Sequence, residues 1–284
     1  MNNSDSATKF YNRQLEYAKK SFQSGNLMPR RYVFILTNLC NLACSFCFQE
    51  RKKRPDRMNL EDWLNLIKEI PKNSRITLTG GEPLVFKGFD KIFEEANKVA
   101  ETNIVTNGLL LDDININTLL SQKNFKILAI SIDNIGNTTR DFDKKKWEDL
   151  VEKINKFNTE RSKLNNPVAL DIKTVVLDDE INNLFEIHKF MMEELKADTH
   201  SLQLLKGADI QHSDLMFDFK EIYEESEAYE YKNFNQLVDQ LNLIKEYDKK
   251  YNFKTFLHPS VIDFKQIDKF DSKHLKYLNN KKHI

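Results

Sequence analysis

Short apolar runs and helix-spaced apolar positions trade places along this chain in a regular order. Tyr32 to Leu36 (YVFIL), Arg75 to Thr79 (RITLT), Thr102 to Thr106 (TNIVT) and Lys126 to Ile132 (KILAISI) are short, apolar and bounded by polar residues, the pattern of buried strands. Val168 to Val176 (VALDIKTVV) and Ser201 to Leu205 (SLQLL) continue the series, and Phe253 to Leu257 (FKTFL) can add a seventh strand. Between them the spacing turns helical at 59–70, 91–100, 114–120, 145–161, 181–195 and 234–251, and a helix over 9–22 precedes the first strand. Asn59 is placed to cap its helix, with Glu61 and Asp62 in the first turn and Pro71 just past the end.

Strands separated by helices of ten or more residues pair in parallel through right-handed crossovers. The expected fold is therefore α/β, a partial (β/α)6 TIM-like barrel, with its chemistry at the C-terminal ends of the strands. It divides into an N-terminal helical extension (1–30), a barrel core (31–206) and a C-terminal extension (207–284) that packs on the barrel. No internal repeat or Pro/Gly linker separates these parts. The last part of the chain is polar and Lys-rich.

Charge adds little. Lys plus Arg and Asp plus Glu number 43 each, so no global field draws the 284-residue chain to nucleic acid or to anionic lipid. No apolar run approaches the roughly 18–20 residues of a membrane span, and Met1 to Thr8 lacks the apolar core of a signal peptide. A cytoplasmic protein is expected, with neither nucleic acid nor membrane as partner.

Cysteine changes the picture. All three cysteines lie at 40, 44 and 47, directly after the first strand, in LTNLCNLACSFCFQE. A secreted disulfide framework would use an even number spread along the chain. Three clustered thiolates can hold three irons of a cubane and leave the fourth iron open. Zinc held by the same thiolates and a histidine is the competing assignment, but the nearest histidine in sequence is His188.

The spacing CxxxCxxC, with Phe46 just before the last cysteine, resembles the signature of the radical S-adenosylmethionine (SAM) superfamily. Four further motifs fall at strand ends where that family would place them: Thr79-Gly80-Gly81-Glu82-Pro83, Thr106-Asn107-Gly108, Ser131-Ile132-Asp133 and Asp171-Ile172-Lys173-Thr174. From the residues alone, Gly80 and Gly81 let backbone approach a ligand and Glu82 can accept from an ammonium. Gly-Gly is also a common strand-to-helix turn, Asn107-Gly108 a common turn, and Asp133 a possible helix cap. Ser131 and Asp133 share one face by alternation.

The resemblance implies more. It makes Cys40, Cys44 and Cys47 the ligands of one [4Fe–4S] cluster and assigns the Gly80-Gly81-Glu82 loop, through Glu82, to the amino group of SAM, Ser131 and Asp133 to its ribose, Lys173 to its carboxylate and Phe46 to its adenine, with Asn107 also at the SAM site. It implies an enzyme that cleaves SAM reductively to a 5′-deoxyadenosyl radical, takes one electron from an external flavodoxin or ferredoxin, and removes hydrogen from a substrate. That substrate is a peptide, a protein or a small molecule. A non-catalytic iron–sulfur carrier or sensor is the alternative; Glu82 and the Ser131/Asp133 pair argue against it, since a carrier needs no SAM pocket. The barrel motifs read most like the SPASM or twitch group, yet no cysteine follows Cys47, which excludes a fully Cys-ligated auxiliary cluster from this chain. Gln203, Lys206, His212 and Asp214 are expected at the barrel mouth, in solvated loops, and His258 at a strand end.

Overall fold

The structure, a computed structural model, describes residues 4–25, 29–47, 58–165, 168–205, 231–258 and 262–271. Its strands are β1 (Arg31–Ile35), β2 (Arg75–Thr79), β3 (Glu101–Thr106), β4 (Phe125–Ser131), β5 (Ala169–Val176), β6 (Thr199–Leu204) and β7 (Thr255–His258). They form one sheet in the order β1-β2-β3-β4-β5-β6-β7. The pairs β1–β2, β2–β3, β3–β4 and β6–β7 are parallel. The helices are α1 (Ser4–Gln23), α2 (Leu60–Lys68), α3 (Phe89–Val99), α4 (Asp113–Ser121), α5 (Lys144–Ser162), α6 (Leu184–Glu193) and α7 (Phe234–Tyr251). Sequential parallel strands with a helix in each crossover are the topology of a partial (β/α) barrel, with the seventh strand added beside β6.

The chain forms two compact units. The first holds residues 1–42, 51–131 and 143–171. One face of its strands forms the core, where Phe34, Ile76, Leu78, Ile104 and Leu128 are buried in register, while β1 leaves Val33 and Ile35 of the other face exposed. Trp63 on α2 packs on Phe34 at 5.1 Å, and Phe93 on α3 meets Phe125 edge-on at 5.1 Å. On another part of the sheet, Phe10 of α1 packs against Ile127, Ala129 and Ala169, with Val105 beside them. Burying one such ring stabilises by about 1.5–3 kcal/mol, which docks a helix the barrel itself does not require.

The second unit holds residues 43–50, 132–142 and 172–284. Its core joins Val176, Leu202, Leu204 and Leu257 of the strands to Leu184, Leu237, Leu241 and Ile244 of α6 and α7. Tyr231 stitches this core: its hydroxyl donates to the Val176 carbonyl at 2.9 Å and accepts from Leu205 N–H at 2.8 Å.

Candidate active site

In the first unit the backbone leaving β1 lies against the backbone leaving β2. Leu36 N–H donates to Thr79 O (2.9 Å), Gly81 N–H to Thr37 O (2.7 Å) and Glu82 N–H to Leu39 O (2.8 Å). The two glycines make that approach possible. A Cβ on Gly80 would lie 2.7 Å from Thr37 O, and one on Gly81 only 2.2 Å from Leu39 O. The Gly-Gly pair admits the close approach of the chain's own segment running into Cys40.

Glu82 is fully buried, and its carboxylate is held by three donors: Thr106 Oγ1–H (2.7 Å), Leu84 N–H (3.0 Å) and Asn107 N–H (2.8 Å). Burial pushes its pKa up, and the bonds from Asn107, Leu84 and Thr106 offset part of that. A carboxylate offers about four acceptor positions, so three bonds leave one.

Asn107, expected at the SAM site or as a plain turn residue, has a defined structural part. Its amide Nδ2–H donates to Asn41 Oδ1 at 2.7 Å, and its Oδ1 accepts from Leu109 N–H at 3.0 Å. It thereby ties the end of β3 to the residue beside Cys40. The Cys40 Sγ accepts from Leu42 N–H at 3.4 Å. Ser131 ends β4, half-buried.

The second unit carries the other half of the motif set. Cys44 is buried and Cys47 exposed, in a turn closed by Cys47 N–H donating to Cys44 O at 3.2 Å. Half-buried Phe46 between them lies under the Arg140 guanidinium, 5.2 Å from the ring centre. That guanidinium also reaches Asp133: Nε is 2.7 Å from Oδ2, and Nη2 donates to Oδ1 at 3.1 Å. Val175 N–H adds a bond to Oδ1 at 2.8 Å. Asp133 is fully buried; burial raises its pKa, opposed by Arg140 and the Val175 N–H.

The expected ribose and adenine contacts both meet Arg140. Asp133, expected at a ribose, gives its carboxylate to Arg140 and Val175. Phe46, expected at an adenine, has one face taken by Arg140. Arg140 carries no motif in the sequence; only its pairing with a buried aspartate marks it out. Lys173 is half-buried on β5, and its backbone carbonyl accepts from Ile132 N–H at 3.0 Å. Gln203 is half-buried, its amide donating to the carbonyls of Leu204 (3.1 Å) and His258 (3.3 Å). Lys206, His212 and Asp214 lie outside the described residues.

Cys40 and Cys47 are exposed and Cys44 buried, and among the described residues no three His, Cys, Asp or Glu side chains form a ready-made metal group. The donor set still suits a cubane: three thiols within eight residues, with no histidine or carboxylate between them. Coordination and thiol deprotonation occur together, so a flexible loop can close on the metal as it binds.

The family model of the radical SAM superfamily matches residues 34–174, a span that begins in β1, contains the cysteine loop and ends on β5. The chain belongs to the radical SAM superfamily of enzymes, whose members hold a [4Fe–4S] cluster through three cysteines and bind SAM. It is 34% identical over 122 residues to the sporulation killing factor maturation protein SkfB of Bacillus subtilis, covering 40% of this chain and 30% of that one. It is 30% identical over 161 residues to GTP 3′,8-cyclase of Clostridium perfringens, covering 51% and 46%. The chain thus spans less than half the length of either relative. Among solved structures, SuiB of Streptococcus suis superposes with a TM-score of 0.61 at 16% identity, over 87% of this chain and 55% of that one. SuiB has also been solved bound to SAM and bound to precursor peptide SuiA. Among the described residues no helix is long and apolar enough to cross a membrane.

Proposed function

We propose that this chain is a catalytic radical SAM domain in which Cys40, Cys44 and Cys47 hold one [4Fe–4S] cluster and the strand-end loops bind SAM. Bound there, cluster and SAM together supply a 5′-deoxyadenosyl radical that takes hydrogen from a substrate. The observation that carries this reading is Glu82. Its buried carboxylate has three fixed donors and one remaining acceptor position, set beside the segment that runs into Cys40. An ammonium fills that position and supplies the countercharge that burial denies. Gly80 and Gly81 shape the loop that presents Glu82, and Asn107 holds the Cys40 side of it. Ser131 and Lys173 offer a hydroxyl and an ammonium to the ribose and carboxylate of SAM. Asp133 acts by holding Arg140 against Phe46, so that ring and guanidinium form one face toward the nucleoside. An external flavodoxin or ferredoxin supplies the electron.

For the substrate we propose a peptide. The support is that SkfB is named for maturing a killing factor and SuiB is seen with a precursor peptide. Protein purified and reconstituted without oxygen is expected to hold about four irons and four sulfides. With a strong reductant it should convert SAM slowly to 5′-deoxyadenosine, and Cys44→Ala should abolish this. Stoichiometric zinc without acid-labile sulfide would overturn the reading. GTP added to the same assay is expected to leave the rate unchanged; stimulation by GTP would move the substrate to the nucleotide class.

A further inference from the structure

A buried polar chain in the second unit has no part in the reading above. It starts at the carbonyl of Ile132, the residue after β4 and before Asp133. Thr174 on β5 donates its hydroxyl to that carbonyl. His200 Nε2 on β6 lies 2.8 Å from Thr174 Oγ1, and His188 Nδ1 on α6 lies 3.0 Å from His200 Nδ1. At the far end His188 Nε2 lies 3.0 Å from Asp248 Oδ1 on α7, off the ideal hydrogen-bond axis. Both imidazoles are fully buried and stack 15° from parallel, whereas the Asp248 side chain keeps 11% of its surface.

Matching donors to acceptors leaves one arrangement. Thr174 gives its single proton to Ile132, so its oxygen accepts and His200 Nε2 carries a proton. Burial, then the neighbouring His188 and Lys173, keep His200 neutral, which leaves its Nδ1 bare. The 3.0 Å contact between the two Nδ1 atoms then requires the proton on His188. His188 Nε2 lies beside Asp248 Oδ1 without the alignment of a hydrogen bond, so the donor order is fixed only from His188 onward. Every hydrogen bond from His188 through His200 and Thr174 to Ile132 therefore points the same way. The terminus is a peptide carbonyl, which passes no proton onward. The chain is a brace, not a proton wire.

We infer that His200 and His188 are positioning residues that fix the end of β4, through Thr174 and the Ile132 carbonyl, for SAM binding. The brace acts beside bonds already described: Ile132 N–H to Lys173 O and Val175 N–H to Asp133 Oδ1 hold the same two residues from either side of Thr174. Without the Thr174 hydroxyl bond, the turn that carries Asp133, and through it Arg140 and Phe46, loses its anchor at the Ile132 carbonyl and is held by the flanking bonds alone. The role rests on the proposal that this turn borders SAM.

The test combines variants with a direct reading of the protons. In reconstituted protein, His200→Leu is expected to weaken SAM binding about five-fold, while His200→Gln, whose amide can still donate to Thr174, stays within about two-fold of wild type. Thr174→Val should behave like the Leu variant and Thr174→Ser like the Gln variant, so the pair decides the matter if a His200 variant folds badly. Nitrogen NMR of labelled histidines should show His200 protonated on Nε2 alone and His188 protonated on Nδ1. Wild-type affinity in folded His200→Leu and Thr174→Val would overturn the inference, as would a proton on His200 Nδ1. A wild-type protein that binds no SAM would instead overturn the SAM reading, and with it the role of the brace, while the NMR pattern would still test the bond assignment.

Discussion

Glu82 and Asp133 are both fully buried carboxylates, yet their partners differ in a way that decides what each is for. Glu82 faces three neutral donors and keeps an acceptor position open; Asp133 faces a guanidinium and a backbone N–H. Replacing Glu82 by Gln turns one oxygen toward a donor as NH2, which leaves a buried donor unpaired at a cost of about 1–3 kcal/mol. The SAM ammonium also loses its countercharge. We expect SAM affinity to fall about ten-fold or more in Glu82→Gln, and less in Asp133→Asn, when SAM is titrated against each reconstituted variant. Equal losses would mean the two carboxylates are wrongly distinguished. The Glu82 pKa also gives a sign for pH. It lies above its ordinary value of 4.5 in the folded chain, so as pH rises past 4.5 the unfolded chain releases this proton first and the native state binds more. Glu82 therefore contributes stability below that window and withdraws it as pH climbs toward the raised native value. Unfolding followed across that range should show a fall in the cluster-free protein that is smaller in Glu82→Gln.

At the scale of elements, local chemistry predicted most boundaries well because each was marked by a specific residue. Asn59 caps α2 as its position implied, accepting from Glu61 and Asp62 N–H at 2.8 and 3.1 Å, while Asp62 returns a bond to Asn59 N–H. The helix expected from Ile181 begins instead at Leu184, after a 3-10 segment over Asp178–Asn183. Three acidic residues and two asparagines there favour turn-like local bonding over a regular first helical turn. The Gly80-Gly81 pair was legible as a close approach but not as an approach of backbone to backbone, since nothing in the sequence says which segment fills the gap. Gly81→Ala tests that element directly. Its Cβ would have to displace Leu39 O from 2.2 Å, and overpacking of this kind costs about 1–3 kcal/mol. The variant is expected to unfold several degrees lower and to retain little iron after reconstitution, read by calorimetry and iron assay. An Ala variant with full iron content and unchanged unfolding would show that the loop tolerates another path.

Across the whole chain, what was legible is what sequence neighbours encode. The cysteine spacing and the strand-end motifs follow from local order, and they marked the radical SAM family. The groups that hold the site were not legible, because their partners lie far along the chain: Val175 is 42 residues from Asp133, and Asn107 is 66 from Asn41. The two units divide the cysteine motif as well, with Cys40 in the first and Cys44 and Cys47 in the second. A metal group bound by folded but not by unfolded protein adds its binding free energy to stability. Anaerobic calorimetry should therefore show a higher unfolding temperature for reconstituted protein than for protein stripped by a chelator. The two thiols of the second unit separate this effect from packing. Cys44 is 8% exposed and Cys47 lies at the surface, so in stripped protein Cys44→Ala should lower the transition by a few degrees while Cys47→Ala leaves it unchanged. On reconstitution both variants should lose the increment that wild type gains, since each removes one ligand. A Cys47→Ala protein that still gained the full increment would show that this thiol is not a ligand, and the assignment of three cysteines to one cluster would fall with it.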